Sequence, residues 1–172
     1  MSRVYKENVM NAFSKSMAVA ALSVLASHAS AQVRTERNIS LDLANQIATA
    51  AVAACAEKGY AVAATVVDRS GVVKAVQRAD NAGPHTLASS QQKAFTSASA
   101  KGSTLAMMEM AQKNPGAANL VYLPGFLLLG GGLPIKAGND VIGGVGIGGA
   151  PGGHLDDQCA QAALEKVKEQ LK

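Results

Sequence analysis

The residues best suited to chemistry lie between Arg78 and Ala100. A polar turn broken by Gly83 and Pro84 leads into a helical stretch, and His85 stands at the junction. A helix start disfavours the protonated form of an imidazole and so keeps a ring nitrogen free to bind a metal. The sequence therefore predicts a ligand pocket here, with His85 as its metal ligand. A plain helix-capping role for this histidine is the alternative.

Other chemical patterns in the chain are weaker. Ser89 and Ser90 lack the G-x-S-x-G surroundings of a hydrolase nucleophile, and the cysteines and histidines lack zinc-ligand spacing. His154 stands at a similar helix start, but in a glycine stretch that should be exposed. The glycine run 143–149 lies within an expected strand rather than opening a helix, so a dinucleotide site is not expected. Small residues there would let a flat ligand, a helix or a subunit approach the sheet.

The first 31 residues have the composition of a secretory signal peptide. Lys6 and Lys15 accompany an apolar core at 17–26, and 29–31 reads Ala-Ser-Ala, a typical cleavage site. The core is about half as long as a membrane span, so no span is expected in the mature chain. We expect a flexible lead-in at 32–39, a single domain over 40–172, and a periplasmic or secreted protein.

The charge distribution argues against nucleic acid as a partner. The chain has 16 basic and 12 acidic residues, a net charge of +4. Three basic residues and one acidic residue lie in the predicted leader, which leaves +2 for the mature part. Without a lysine or arginine run, and without tryptophan, no nucleic-acid-binding face is expected.

Apolar periodicity predicts the order helix, two strands, two helices, three strands, helix. The expected elements are Leu41–Lys58, Tyr60–Val67, Val72–Gln77, a helix from Thr86, Thr104–Gln112, Phe126–Leu129, Leu133–Lys136, Val141–Gly149 and a last helix after Gly153. Tight turns between neighbouring strands favour antiparallel pairing. The sequence thus predicts an α+β domain with a largely antiparallel sheet of about five strands, covered by helices.

The two cysteines each fall on the apolar stripe of a terminal helix. Two buried free thiols are one interpretation of Cys55 and Cys159. Export to an oxidising compartment, and the position of both residues on helices that can pack together, favour a disulfide instead.

Several motifs together resemble the GlcG/HbpS-like haem-binding (haem-degrading) domain family, to which the C-terminal domain of PduO-type proteins is similar. The motifs are Val66–Gly71, Arg78–Asp80, Lys93–Thr96, Gly131–Ile135 and Val141–Ala150. The resemblance covers about Leu41 to Leu171. It implies a profilin-like fold, with a five-stranded antiparallel sheet and helices on both faces. It also implies a homo-oligomer.

The resemblance further implies haem, or a similar flat ligand, as the cofactor. Haem ligands differ between members of the family, so the iron ligand expected here is His85, chosen for its position at the helix start. The expected cofactor-binding site is formed by His85, Thr86, Arg78, Lys93 and Phe95. Arg78, Lys93 or Lys101 would pair with a propionate, since a basic side chain stabilises a carboxylate. The expected function is exported haem binding for storage, sensing or scavenging. A haem-degrading or redox enzyme, and an oligomeric interaction module without haem, are the alternatives.

Overall fold

The structure, a computed structural model, describes residues 33–172, so the predicted leader lies outside the described residues. The α-helices are α1 (Leu41–Ala56), α2 (His85–Ala100), α3 (Thr104–Lys113) and α4 (Gly153–Lys166). The strands are β1 (Ala63–Asp68), β2 (Val73–Arg78), β3 (Gly132–Ala137) and β4 (Asp140–Gly148). Two 3-10 helices span Pro115–Tyr122 and Lys168–Leu171. Within this part of the chain, no helix is long and apolar enough to cross a membrane.

The four strands form one antiparallel sheet in the order β2-β1-β4-β3. The α+β class is as predicted, but the expectation of five strands was wrong, because residues 126–129 form no strand. Residues 126 and 127 contact helix α2 instead of a neighbouring strand. The Leu127 N–H donates to Thr96 Oγ1 at 2.9 Å, and the Phe126 ring packs edge-on against Phe95. A short apolar run does not by itself distinguish a strand from a buried loop.

Helices cover both faces of this sheet. Helices α1 and α4 pack on one face and enclose the main apolar core, which includes Ile47, Val66 and Ile147. Helix α2 lies on the other face, against a smaller cluster that contains Val67 and Ala94. The sheet therefore separates a large aliphatic core from a thinner interface beneath α2.

Helix α1 begins where the sequence predicts it. Ser40 Oγ accepts a hydrogen bond from the Leu43 N–H at 3.2 Å, which satisfies one of the free donors at the helix start. The expected apolar stripe is the buried one, with Ile47 fully buried. The end of the predicted lead-in is attached to the sheet, since the N–H of buried Ile39 donates to the Ile142 carbonyl at 3.1 Å.

The disulfide prediction is confirmed. Cys55 of α1 and Cys159 of α4 form a disulfide, with their Cα atoms 5.4 Å apart. Both residues are fully buried. The bond therefore fastens the C-terminal helix to the first helix across a sequence separation of 104 residues.

The glycines of β4 allow α2 to lie directly on the sheet. A methyl group added at Gly146 would overlap the Ser90 carbonyl oxygen and the Ala94 nitrogen, both in the helix backbone. A methyl group at Gly144 would lie 2.5 Å from the Ala94 carbonyl oxygen. Of the roles expected for the glycine run, close packing of a helix is therefore the one found here.

This contact makes a prediction for Gly146→Ala. The added methyl group can be accommodated only if the backbone of α2 moves away from β4, so we expect a loss of about 3 kcal/mol in the free energy of unfolding. Urea unfolding followed by circular dichroism would measure it. Gly102→Ala is the control, because a methyl group there meets only the Ala100 carbonyl oxygen, at 3.8 Å. Equal stability of the two variants would contradict the packing argument.

The disulfide makes a second prediction. The double variant Cys55→Ala/Cys159→Ala should lose about 4 kcal/mol of stability, because the unfolded chain regains the freedom of a long closed loop. Thermal unfolding of the oxidised protein and of the double variant would test this. Reductant should lower the melting temperature of the wild type and leave that of the double variant unchanged.

Candidate functional site

The side of helix α2 that faces away from the sheet carries the candidate site. The helix buries one stripe of side chains, namely Thr86, Ser90, Lys93, Ala94, Thr96, Ser97 and Ala98. With about 3.6 residues per turn, His85, Ala88, Gln92 and Phe95 fall on the opposite side. His85, Ala88 and Gln92 are exposed and Phe95 is half-buried. Because the buried stripe packs on strand β4, the residues on the opposite side of α2 are the ones available to a ligand.

A cleft of about 310 Å³ opens on this outward face. It is lined by Gly71, Ala88, Gln91, Gln92, Phe95 and Gly125. The Phe95 ring is held between two backbone segments. A methyl group at Gly71 would lie 2.6 Å from Phe95 Cδ2, and one at Gly125 would lie 3.3 Å from Cε1. Both glycines have positive φ angles, +82° and +83°. They form a slot that fixes the aromatic ring at one end of the cleft.

Strand β2 carries exposed apolar side chains on the side of the sheet that α2 covers. Val73 pairs with Val67, and Val76 pairs with Thr65. Thr65 points towards α2, because its hydroxyl hydrogen-bonds Ser90 Oγ at 2.8 Å, and cross-strand partners point to the same side of a sheet. Val73 and Val76 are nevertheless 39% and 47% exposed, so α2 leaves the edge strand uncovered.

His85 is exposed at the first position of α2. Its ring folds back over Gly83, where a methyl group would lie 2.8 Å from Cε1. The N-cap of the helix is Pro84, and no side chain makes a capping hydrogen bond, so the capping role finds no support. Within residues 33–172 no hydrogen bond engages the His85 ring. The imidazole lies about two turns before Gln92 on the same side of the helix, and it is not part of the cleft lining.

Thr86 and Arg78 both donate hydrogen bonds to backbone carbonyls of the turn before α2. Thr86 is fully buried, and its hydroxyl donates to the Gly83 carbonyl at 2.7 Å. Arg78 is exposed, and its guanidinium donates to the Ala82 carbonyl. Ala63 pairs with both Arg78 and Gly148, and a methyl group at Gly148 would overlap Ser89 Oγ of α2. Arg78 thus lies level with the first turns of α2. Arg78 and His85 therefore share one end of the outward face, whereas Thr86 lies beneath it.

Lys93 lies on the buried side of α2, away from the cleft. It is 1% exposed. Its ammonium donates to the Ile147 carbonyl at 2.7 Å and to Asp156 Oδ2 at 2.8 Å. Both partners hold its ammonium group in the interior, and Lys93 is not part of the cleft lining.

The carboxylate partner of Lys93 is Asp156, and a second buried aspartate, Asp157, follows it in α4. Neither aspartate is among the site residues predicted from the sequence. The N–H of Ala150 donates to Asp156 Oδ1 at 3.0 Å, and Gln161 Nε2 donates to Asp157 Oδ2 at 2.7 Å. Burial raises the pKa of both carboxyls, while the charge of Lys93 acts in the opposite direction. One sequence feature could have indicated this ion pair. Lys93 lies among small residues on the stripe of α2 that packs on the sheet, and a buried lysine requires an anionic partner.

This ion pair makes a third prediction. Lys93→Met leaves Asp156 uncompensated in the interior, and we expect a loss of about 3–5 kcal/mol in the free energy of unfolding. The double variant Lys93→Met/Asp156→Leu should recover much of the loss, because it removes both charges. Urea unfolding near neutral pH would measure both. Lys101→Met, at an exposed position, is the control and should be close to wild type.

Known proteins are similar to this chain over most of the residues that the structure describes. A family model described as haem degrading protein HbpS-like matches residues 39–165. The chain is similar to the crystal structure of HbpS, with 34% identity and a TM-score of 0.75, over 79% of this chain and 94% of that one. It is also similar to Klebsiella pneumoniae protein ORFY, with 31% identity and a TM-score of 0.74, over 78% and 93%.

A more distant likeness supports the fold alone. The structure of a PduOC–haem complex is 24% identical, with a TM-score of 0.67, and the match covers 74% of this chain and 94% of that one. No curated protein sequence matches the chain.

Proposed function

The chain belongs to the HbpS-like family of haem-degrading proteins, and on this premise we propose that it binds haem on the outward face of helix α2. The observation that carries the proposal is the cleft ended by Phe95, an aromatic ring held between Gly71 and Gly125. The exposed valines of β2 lie on the same side of the sheet as α2. Flat apolar ligands favour such surfaces, because stacking on an aromatic ring adds to the burial of apolar area.

We propose His85 as the protein ligand of the haem iron. Imidazole is a common axial ligand of haem, and the His85 ring is exposed and makes no hydrogen bond within the described residues. Bound haem would supply redox and oxygen chemistry, whereas the protein would bind and orient the macrocycle. The helix fixes the backbone of His85, and Gly83 leaves room for its ring.

Arg78 is the proposed partner of a propionate. A guanidinium offers several N–H donors in a plane that matches a carboxylate. The Arg78 bond to the Ala82 carbonyl uses only part of this capacity and fixes the side chain near the start of α2. His85 and Arg78 would thus meet the iron and the acidic edge of one ligand.

The biological role we propose is haem storage, sensing or scavenging by an exported homo-oligomer. The leader-like sequence before Gln32 supports export. The disulfide between Cys55 and Cys159 suits an oxidising compartment. The outer edge of strand β2, which pairs with no further strand of the described residues, is consistent with contacts between copies.

Haem degradation is the second candidate function, and the description of the family favours it. A storage or sensing protein leaves the macrocycle intact, whereas a degrading enzyme opens it in the presence of oxygen and a reductant. Incubating the haem-loaded protein with ascorbate in air separates the two. Loss of the Soret band with formation of a bilin indicates degradation, and a stable Soret band indicates binding alone.

The haem proposal is tested by titrating the purified mature protein with haemin. The wild type should shift the Soret band, and His85→Ala should change its position and weaken affinity by about tenfold or more, because one metal bond is lost. His154→Ala is a matched control, because its ring also folds over a glycine at a helix start, with a methyl group at Gly152 lying 2.8 Å from Cε1.

The two parts of the proposal fail in different ways. A wild-type protein that leaves the haemin spectrum unchanged contradicts haem binding itself. A His85→Ala protein with the wild-type spectrum and affinity contradicts only the assignment of the iron ligand. A larger effect of His154→Ala than of His85→Ala would move the ligand to the start of α4.

A further inference from the structure

A buried cluster of three ionisable side chains joins helices α2 and α4, on the side of α2 away from the cleft. Lys93, Asp156 and Asp157 are 1%, 3% and 4% exposed. With all three ionised, the cluster would hold one uncompensated negative charge inside the protein. Such a charge is strongly unfavourable unless it is paired or neutralised.

The two aspartates are not equivalent. Asp156 meets the Lys93 ammonium with one carboxyl oxygen and the Ala150 N–H with the other. Asp157 accepts from Gln161 with Oδ2, but Oδ1 is buried and has no hydrogen-bond partner. The Gly131 N–H favours the ionised form of Asp157, yet no hydrogen bond of ordinary geometry reaches Oδ1. Asp157 is therefore the poorly compensated member, since an unpaired buried oxygen is costly on an ionised carboxylate.

The surrounding elements offer little further compensation. Strand β4 and the start of β3 present backbone groups, the Ile147 carbonyl and the Gly131 N–H. On α4 itself, His154 is exposed. Beyond the end of α1, Lys58 donates to Gln158 at the surface, at 2.8 Å. The charged residues of α3, which are Glu109 and Lys113, are exposed as well.

The backbone packs closely against Lys93, Asp156 and the start of α4. A methyl group at Gly131 would lie 2.6 Å from Asp156 Cβ and 3.1 Å from Lys93 Nζ. A methyl group at Gly130 would lie 2.8 Å from the Gly153 carbonyl oxygen. Hydration of a new charge in this region therefore requires the start of β3 and the start of α4 to separate.

We infer that Asp157 carries a proton in the folded protein, and that its ionisation loosens the junction between helix α4 and the start of strand β3. The protonated form leaves Lys93 and Asp156 as a neutral pair, so the cluster then has no net charge. The inference concerns the scaffold and does not depend on haem binding.

The direction of the pH effect follows from linkage. Burial raises the pKa of Asp157 above its ordinary value, so the folded state holds this proton more tightly than the unfolded chain. The resulting stability is fully present below the unfolded pKa of about 3.9 and is lost as pH rises through the folded pKa. Within that window the unfolding equilibrium constant should rise by up to about tenfold per pH unit.

The test is urea unfolding of the mature protein from pH 4 to pH 8, comparing wild type with Asp157→Asn and Asp42→Asn. Asp42 also lies in the first turn of a helix but is exposed. The ratio of the wild-type unfolding constant to that of Asp157→Asn should rise across the window and then level off, because the amide cannot ionise. The ratio of the wild type to Asp42→Asn should show no such rise. A flat ratio for Asp157→Asn would overturn the inference.

A direct measurement covers the case in which Asp157→Asn fails to fold. Carboxyl carbon resonances of wild-type protein labelled at aspartate report the protonation of each side chain. A resonance assigned to Asp157 that titrates above about 3.9, while amide exchange of Gly131 and Gly132 quickens beyond its intrinsic pH dependence over the same range, supports the inference. Titration of Asp157 at or below that value, or exchange of Gly131 and Gly132 that does not follow its titration, overturns it.

Discussion

The close approach of helix α2 to strand β4 is the constraint on which the rest of the structure depends. A helix normally rests on a sheet through side chains, but here the backbone of α2 at Ser90 and Ala94 lies against Gly146. Only a residue without Cβ permits this separation. The contact fixes the rotation of α2, so Lys93 points inward and Phe95 outward. The position of the cleft and that of the buried ion pair therefore both depend on the same contact between α2 and β4.

Helix α4 connects the layers on the two faces of the sheet. Its residue Asp156 binds Lys93 of α2, on the glycine side. Its residue Cys159, almost one turn later, is bonded to Cys55 of α1 on the other side. One link is electrostatic, whereas the other is covalent. The first turns of α4 therefore hold both faces of the sheet together.

Much of the fold follows from local sequence, because periodicity and turn residues act locally. The stripe of α1, its Ser40 cap and the β1–β2 hairpin all lie within a few residues of the predicted positions. The strand predicted at residues 126–129 does not form. An apolar run indicates that a segment is buried, but it does not indicate which groups hydrogen-bond its backbone N–H and C=O. In this case Thr96, distant in sequence, takes the Leu127 N–H. The pairing of Lys93 with Asp156 is equally non-local, so helix periodicity alone assigns Lys93 no partner.

The candidate site shows the same limit at the level of single residues. His85 and His154 have nearly identical local settings, each with its ring folded over a glycine two residues earlier at a helix start. The imidazole and its immediate sequence therefore cannot distinguish a ligand-binding histidine from a bystander. The distinction lies in what continues along the helix. From His85 the outward face leads to the cleft and the fixed ring of Phe95. From His154 the next turn carries Asp156 and Asp157 into the interior, so that helix start belongs to the scaffold. This difference is why we propose the start of α2, and not that of α4, as the ligand-binding one.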